Sequence, residues 1–223
     1  MTVADDIASI GARLVGCTCT CAGVARNQEE GIVPRGLYME AGEGNEGVIV
    51  CGMNPSKAEK PETAAYRQEG ASYPVVLAFW NLRLRSIAYF SRARRFVRAL
   101  GHSGSILWTD VAKCERSNPS MPISFATHPQ TFRVCASSYL TNEIKVCPET
   151  WPLIANGKDA FTALSYLFPS RRVIGITHCT GAYPQFSRMW AQPHCEGELR
   201  DDIKRAIEEL QPHGALWLPA IAK

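Results

Sequence analysis

Short apolar runs alternating with helix-length segments fill the second half of the chain, and this rhythm restricts the folds open to it. SILWTDVAK (105–113) reads as a strand followed by a long loop, and TFRVCASSYLTNEI (131–144) as a helix. WPLIAN (151–156) is a strand, GKDAFTALSYLF (157–168) a helix and RRVIGITH (171–178) a strand. Residues 197–210 follow as a helix and GALWLPA (214–220) as a last strand. Strands this uniformly apolar are buried on both faces, so the pattern predicts a parallel sheet covered by helices.

The first half is less regular. Val3, Ile7, Ile10 and Leu14 recur at helical spacing and predict an amphipathic helix over 3–15. CTCTCAGVARNQEEGIVPRG is too irregular for a core element, and residues 47–52 form a compact apolar strand. Residues 56–74 read as a polar loop, and 76–100 as one long helix closed by Gly101. There is no internal repeat and no low-complexity tract.

With 223 residues, 46% of them hydrophobic and 20% charged, the chain can bury a proper core as one globular domain, 1–223. A net charge of +3 permits a nucleic-acid partner without demanding one. The basic residues are clustered: Arg83, Arg85, Arg92, Arg94, Arg95 and Arg98 fall in a stretch without acidic residues, which suits a solvated helix face or a phosphate-binding one. No run of apolar residues is long enough to span a membrane. The N-terminus carries Asp5 and Asp6 and does not resemble a secretory signal, so the expectation is a cytoplasmic protein. In a reducing compartment nine cysteines point to metal binding, catalysis or quiet burial.

Two strand exits carry the chemistry. VIVCGMNPS (48–56) leaves its strand through Gly52 and presents an amide, Asn54, beside a proline. VIGITHCTG (173–181) repeats the design with His178. Asp110 and Asn156 stand at two further strand ends, and ligand sites in such sheets gather beyond the carboxyl ends of the strands. A shared cleft is therefore expected.

Together these stretches resemble the two active-site motifs of the uracil-DNA glycosylase superfamily. Gly52-Met53-Asn54-Pro55 looks like the Asn-type first motif of the mismatch-specific and single-strand-selective branches. WTDVAKC (108–114), CASSYLTNEI and WPLIANGKDAF are similar in order to segments of the iron–sulfur branch, so that the likeness spans roughly residues 14–180. The resemblance implies a three-layer α/β/α sandwich around a central, mainly parallel four-stranded sheet. It also implies a monofunctional enzyme that hydrolyses the bond between a flipped-out damaged pyrimidine and deoxyribose, acting on DNA as a monomer.

In that reading Asn54 positions water and His178 donates to the departing base, for which a neutral ring suffices. Gly52, Met53, Pro55, Ser56 and Thr180 line the base site. Tyr73 is preferred over Phe79 as the aromatic on which the base stacks. Tyr183 would wedge into the DNA, and Arg188 would contact a phosphate. The family reads uracil with an asparagine where this chain has Asp110. Three explanations stand open: an ionised Asp110 accepts from an amino-bearing base; a protonated Asp110 mimics the amide; or Asp110 caps a turn while Asn156 or the backbone reads the base. The second motif also departs from type, because Cys179 replaces the usual proline after the histidine and so predicts a softer loop.

Cys114 and Cys135 fall where the iron–sulfur branch has two of its cluster ligands. Two of Cys17, Cys19 and Cys21 would complete a 4Fe-4S set, although CTCTC departs from the usual N-terminal spacing, and zinc could use the same thiolates. Cys51 reads as packing, and Cys147, Cys179 and Cys195 have no evident partner. Cys179 beside His178 lacks a third group to orient it as a nucleophile. Two alternatives from other classes remain: a non-catalytic nucleic-acid-binding module on the same fold, and a thiol- or metal-dependent redox protein.

Overall fold

The computed structural model describes residues 2–118, 120, 127–193 and 195–222. Its first element, α1 (Val3–Val15), starts where the side chains dictate: Thr2 accepts from the Asp5 amide while Asp5 reaches back to the Thr2 amide, a reciprocal cap. Ile7, Ile10 and Leu14 face inward at the expected spacing.

The protein is α/β, with a mostly parallel sheet of six strands in the order β1-β3-β2-β4-β5-β8. These strands are β1 (Leu37–Glu40), β2 (Gly44–Gly52), β3 (Gly104–Asp110), β4 (Leu153–Asn156), β5 (Val173–Ile176) and β8 (Ala215–Trp217). The parallel register sets Ile49 beside Leu153, Leu153 beside Val173, and Val173 beside Ala215. Val48 to Cys51 and Leu153 to Ala155 are wholly excluded from water, as two-faced burial requires. The sheet is wider than the four strands expected. β1 escapes a sequence reading because LYME is short and lies between irregular segments, and β8 spans only three residues before a 3-10 turn, Leu218–Ala220, with Pro219 at its second position.

Several connections differ from expectation for local reasons. Residues 56–74 are not a loop throughout: α2 (Lys60–Glu69) begins with Pro61 in its first turn and buries only Glu62 and Tyr66, too narrow a stripe to show as amphipathic. The long helix is two, α3 (Tyr73–Arg83) and α4 (Ala88–Ala99). Gly101 does close the second, at a φ of +86°. Residues 129–146 run as α5 (Pro129–Cys135), a π-helical turn (Ala136–Leu140) and α6 (Thr141–Val146). After α7 (Lys158–Leu167) and β5 comes α8 (Tyr183–Ser187). The segment expected as one helix at 197–210 is a strand, β7 (Cys195–Leu199), antiparallel to β6 (Trp190–Gln192), followed by α9 (Asp201–Glu208). Only the α9 part has helical burial, through Ile203 and Ile207.

Contacts within the chain gather into two units. The first comprises Met1–Met39, Met53–Arg83 and Trp108–Pro148; the second comprises Glu40–Gly52, Leu84–Leu107 and Glu149–Lys223. Among the described residues no helix is long and apolar enough to cross a membrane.

Candidate functional site

In the first unit, the turn after β2 is held from several directions. Asn54 is half-buried, and its Nδ2 donates to the Pro55 carbonyl at 2.7 Å, so Oδ1 is the end of the amide left to accept from a ligand. The Met53 carbonyl accepts the Ala112 amide at 2.9 Å. Pro55 is buried and Ser56 exposed, and the Ser56 carbonyl accepts from Arg35 Nη2 at 2.5 Å. Arg35, itself buried, pairs with Glu62 at 2.8 Å and with Glu115 at 2.9 Å, and Glu115 accepts the Ala58 amide at 2.6 Å. Arg35 and Glu115 therefore brace the turn on both sides of Lys57, and Glu62 holds Arg35 from behind. Two buried acids tolerate each other here because Arg35 lies between them; losing it would strand both.

Asp110 ends β3, half-buried. Gly36, at a φ of +83°, lets the chain pass beside it: a Cβ there would come within 2.5 Å of Asp110 Oδ2 and 3.0 Å of Pro55 Cγ. Exclusion of water pushes the Asp110 pKa up to about 8, against the pull of Lys113 and Arg35 and with a further push from Glu143. The pull of Lys113 is limited because its ammonium is committed to Glu143 at 2.7 Å and to Thr109 at 2.6 Å, in a site closed to water. Asp110 is therefore mostly a neutral carboxylic acid at pH 7, able to donate as well as accept. Among the three explanations raised by the sequence, this favours the amide mimic.

Tyr73 is not a stacking platform. It is 4% exposed, its hydroxyl donates to the Leu37 carbonyl at 3.1 Å, and a Cβ on Gly11 would fall 2.3 Å from the ring. It packs α3 against α1. Phe79 is half-buried between Tyr66 and Trp80, with the Arg83 guanidinium 4.9 Å from the ring centre. Trp80 is core, as expected.

Cys17, Cys19, Cys21, Cys114 and Cys135 also belong to this unit and crowd one another. Burial first, then the neighbouring sulfurs, push Cys21 up to about 11 and Cys114 up to about 12. Cys135 is raised chiefly by burial, and Cys19 chiefly by a hydrogen bond with Cys17. Cys19 is exposed, Cys17, Cys21 and Cys114 are half-buried, and Cys135 is buried. The Arg26 guanidinium donates to the Cys17 carbonyl and opposes the upward shift of the Cys19, Cys21 and Cys114 thiols. Among the described residues no three His, Cys, Asp or Glu side chains stand ready around a single metal ion.

In the second unit, Gly52 closes the buried end of β2, and His178 stands exposed just past β5. Its Nδ1 accepts the Gly181 amide at 2.9 Å and lies 3.2 Å from Thr180 Oγ1. A ring nitrogen that accepts an N–H carries no proton, so the neutral ring keeps its proton on Nε2. The Tyr89 ring lies 5.5 Å away, and partial loss of hydration on the side of the imidazole turned to the protein lowers its pKa below the ordinary value. His178 is thus a neutral donor through Nε2 at pH 7.

Asn156 is fully engaged: Oδ1 accepts the Cys179 amide at 3.1 Å, and Nδ2 donates to Cys179 Sγ at 3.2 Å. At 1% exposure it has neither end of its amide left to read a base, which removes it from that role. Cys179 is buried, its thiol points at the Tyr89 carbonyl, and burial pushes its pKa up to about 11. A nucleophile needs the thiolate, so this cysteine is structural.

Tyr183 opens α8 half-buried, with the Arg92 guanidinium 3.8 Å from its ring centre and a hydrogen bond to Glu196. Arg188 is exposed. Most of the clustered arginines serve the protein itself. Arg92 and Arg95 share Glu196, Arg94 grips Glu40 with two bonds, and Arg98 donates to the His102 carbonyl. In the first unit Arg83 pairs with Glu59. No family model matches the chain, and comparisons with curated proteins and with solved structures likewise found no relative.

Proposed function

We propose that the protein is a monofunctional DNA glycosylase of the uracil-DNA glycosylase type, excising uracil from DNA as a cytoplasmic base-excision-repair enzyme. The observation that carries this reading is the state of His178: a neutral imidazole at a strand exit, its Nδ1 occupied by the Gly181 amide of its own loop, which leaves the proton on Nε2 as a donor. Breaking the C1′–N1 bond moves its electron pair onto the base, and the developing charge sits on the carbonyl oxygens. A neutral donor stabilises that oxygen without surrendering its proton. Asn54 Oδ1 accepts from a water and holds it for addition to the cation-like C1′, and the proton released passes to solvent. An amide is a poor base, which suits a reaction whose sugar is already electrophilic before water adds. Asp110 as a neutral acid reads uracil as an amide would, with its carbonyl oxygen accepting from N3–H and its O–H donating to O4.

The donor chemistry of Cys17, Cys19, Cys21, Cys114 and Cys135 fits a thiolate-held 4Fe-4S cluster, and zinc could use the same thiolates. Burial first, and then their mutual crowding, raises the Cys21 and Cys114 thiol pKa values, and the iron of a cluster would neutralise the thiolates once their protons pass to solvent. Such a cluster would tie the N-terminal segment to residues near α5; no chemical step depends on it. The test is an oligonucleotide panel: uracil, cytosine, hypoxanthine or a thymine mismatch, followed by alkali. Cleavage of the uracil strand is expected. No cleavage of any of the four, with binding retained, would instead make this a nucleic-acid-binding module, a reading to which the burial of Tyr73 lends weight.

A further inference from the structure

The loop that carries His178 lacks the proline that would stiffen it, yet Cys179, the residue after the histidine, is held at every polar atom. Asn156 closes on Cys179 with both ends of its amide, Oδ1 to the backbone N–H at 3.1 Å and Nδ2 to Sγ at 3.2 Å. Cys179 Sγ donates onward to the Tyr89 carbonyl at 3.3 Å, and the Cys179 carbonyl accepts from Arg92 at 3.1 Å. Arg92 is itself anchored by Glu196. Asn156 ends β4, and the neighbouring β5 is in register with it, Asn156 opposite Ile176, so the clamp grows directly from rigid parallel strands.

We propose that Asn156 and Cys179 are positioning residues: together they lock the His178 loop so that the imidazole keeps one tautomer and one pose. The logic is geometric. His178 precedes Cys179 by one residue, so fixing the Cys179 amide, thiol and carbonyl fixes the peptide from which the imidazole projects. The ring can then present Nδ1 to the Gly181 amide, and that bond assigns the proton to Nε2. A leucine at 156 would leave the Cys179 amide and thiol without these partners. The loop would then sample poses in which Nδ1 loses the Gly181 amide, and the proton would divide between the two nitrogens. Cysteine at 179 is apt because its thiol accepts from Asn156 and donates to Tyr89 in a space shut off from water. The role of His178 in turnover rests on the glycosylase reading; the clamp itself does not.

The test joins a spectroscopic readout to kinetics. Long-range ¹⁵N–¹H correlation spectra of the imidazoles, with the His178 signals assigned by His178→Gln, report the tautomer directly. The wild type should show a single Nε2–H form. Asn156→Leu should show mixed tautomers, and its kcat on uracil DNA should fall by roughly 10- to 100-fold with KM nearly unchanged, the size expected for a displaced catalytic group. Cys179→Ser keeps a donor and an acceptor at the same place and should leave both readouts as in the wild type, whereas Cys179→Ala should fall between the wild type and Asn156→Leu. Should Asn156→Leu prove unfolded, the Ser and Ala pair at 179 decides alone. A single Nε2–H tautomer in Asn156→Leu, or in Cys179→Ala when that pair decides, would overturn the clamp even if the enzyme is active. Mixed tautomers in these variants of a wild type that excises no base would keep the clamp and defeat the glycosylase reading.

Discussion

Asp110 offers the sharpest quantitative prediction, because its chemistry depends on a proton whose position can be titrated. The carboxyl is half-buried over Gly36 and Pro55, and loss of water raises its pKa to about 8. If the neutral acid is the form that donates to uracil O4, activity follows the protonated fraction. That fraction is about 90% at pH 7 and about 10% at pH 9 for a group of this pKa. Turnover of uracil DNA should therefore fall roughly ten-fold across these two units, with a midpoint near 8. Asp110→Asn cannot ionise and should give a flat profile over the same range while keeping uracil preference. The assay is single-turnover release of uracil at fixed ionic strength. Stability should move with the same group: its folded pKa lies above the unfolded value, so the folded state holds the extra proton and stability declines as pH rises from about 4 to about 8. A wild-type rate that stays level from pH 7 to 9, or an Asp110→Asn profile that still bends near 8, would refute the neutral-acid argument.

Other outcomes follow from the same geometry. Asn54→Ala and His178→Ala should each lower kcat by about 10²-fold with circular dichroism unchanged, since neither side chain is core. Arg35→Met leaves Glu62 and Glu115 buried without their cation and should cost about 3–5 kcal/mol in chemical denaturation. Anaerobic reconstitution with iron and sulfide should give absorbance near 400 nm that is lost in Cys114→Ala and Cys135→Ala, with iron content as the readout. Cys19→Ala should retain it, because Cys19 is the exposed thiol of the group. A cluster lost equally in Cys19→Ala would change the ligand set.

The parallel core was legible because residues 48–51 in β2, 153–155 in β4 and Val173–Ile176 in β5 are unbroken apolar runs, a pattern only two-faced burial explains. The sheet edges and α2 were hidden, since LYME and the polar KPETAAYRQE bury too few residues to leave a period. The strand-exit residues were located correctly by position, but their roles were not all readable. Tyr73 sits where a stacking ring is expected, yet its contact with Gly11, sixty-two positions earlier in the chain, belongs to packing that no local pattern reveals. Asn156 looked like a base reader because amides at strand ends can be; its true partner, Cys179, lies on the next strand's exit. The acid-free arginine stretch suggested a phosphate surface, and most of its charge is answered by Glu40, Glu59 and Glu196 from distant segments. Arg35 left one faint signal, a charge inside the otherwise apolar GIVPRGLYM, whereas Glu115, in KCERSN, left none.

Direct detection of the released base tests the central claim most plainly. Purified protein is incubated with a uracil-containing oligonucleotide, and free uracil is measured by mass spectrometry, alongside Asn54→Ala and His178→Ala at matched concentration and confirmed folding. The account predicts free uracil and an abasic strand from the wild type, with each variant slower by about 10²-fold. Equal release by all three, or none from the wild type, would contradict it.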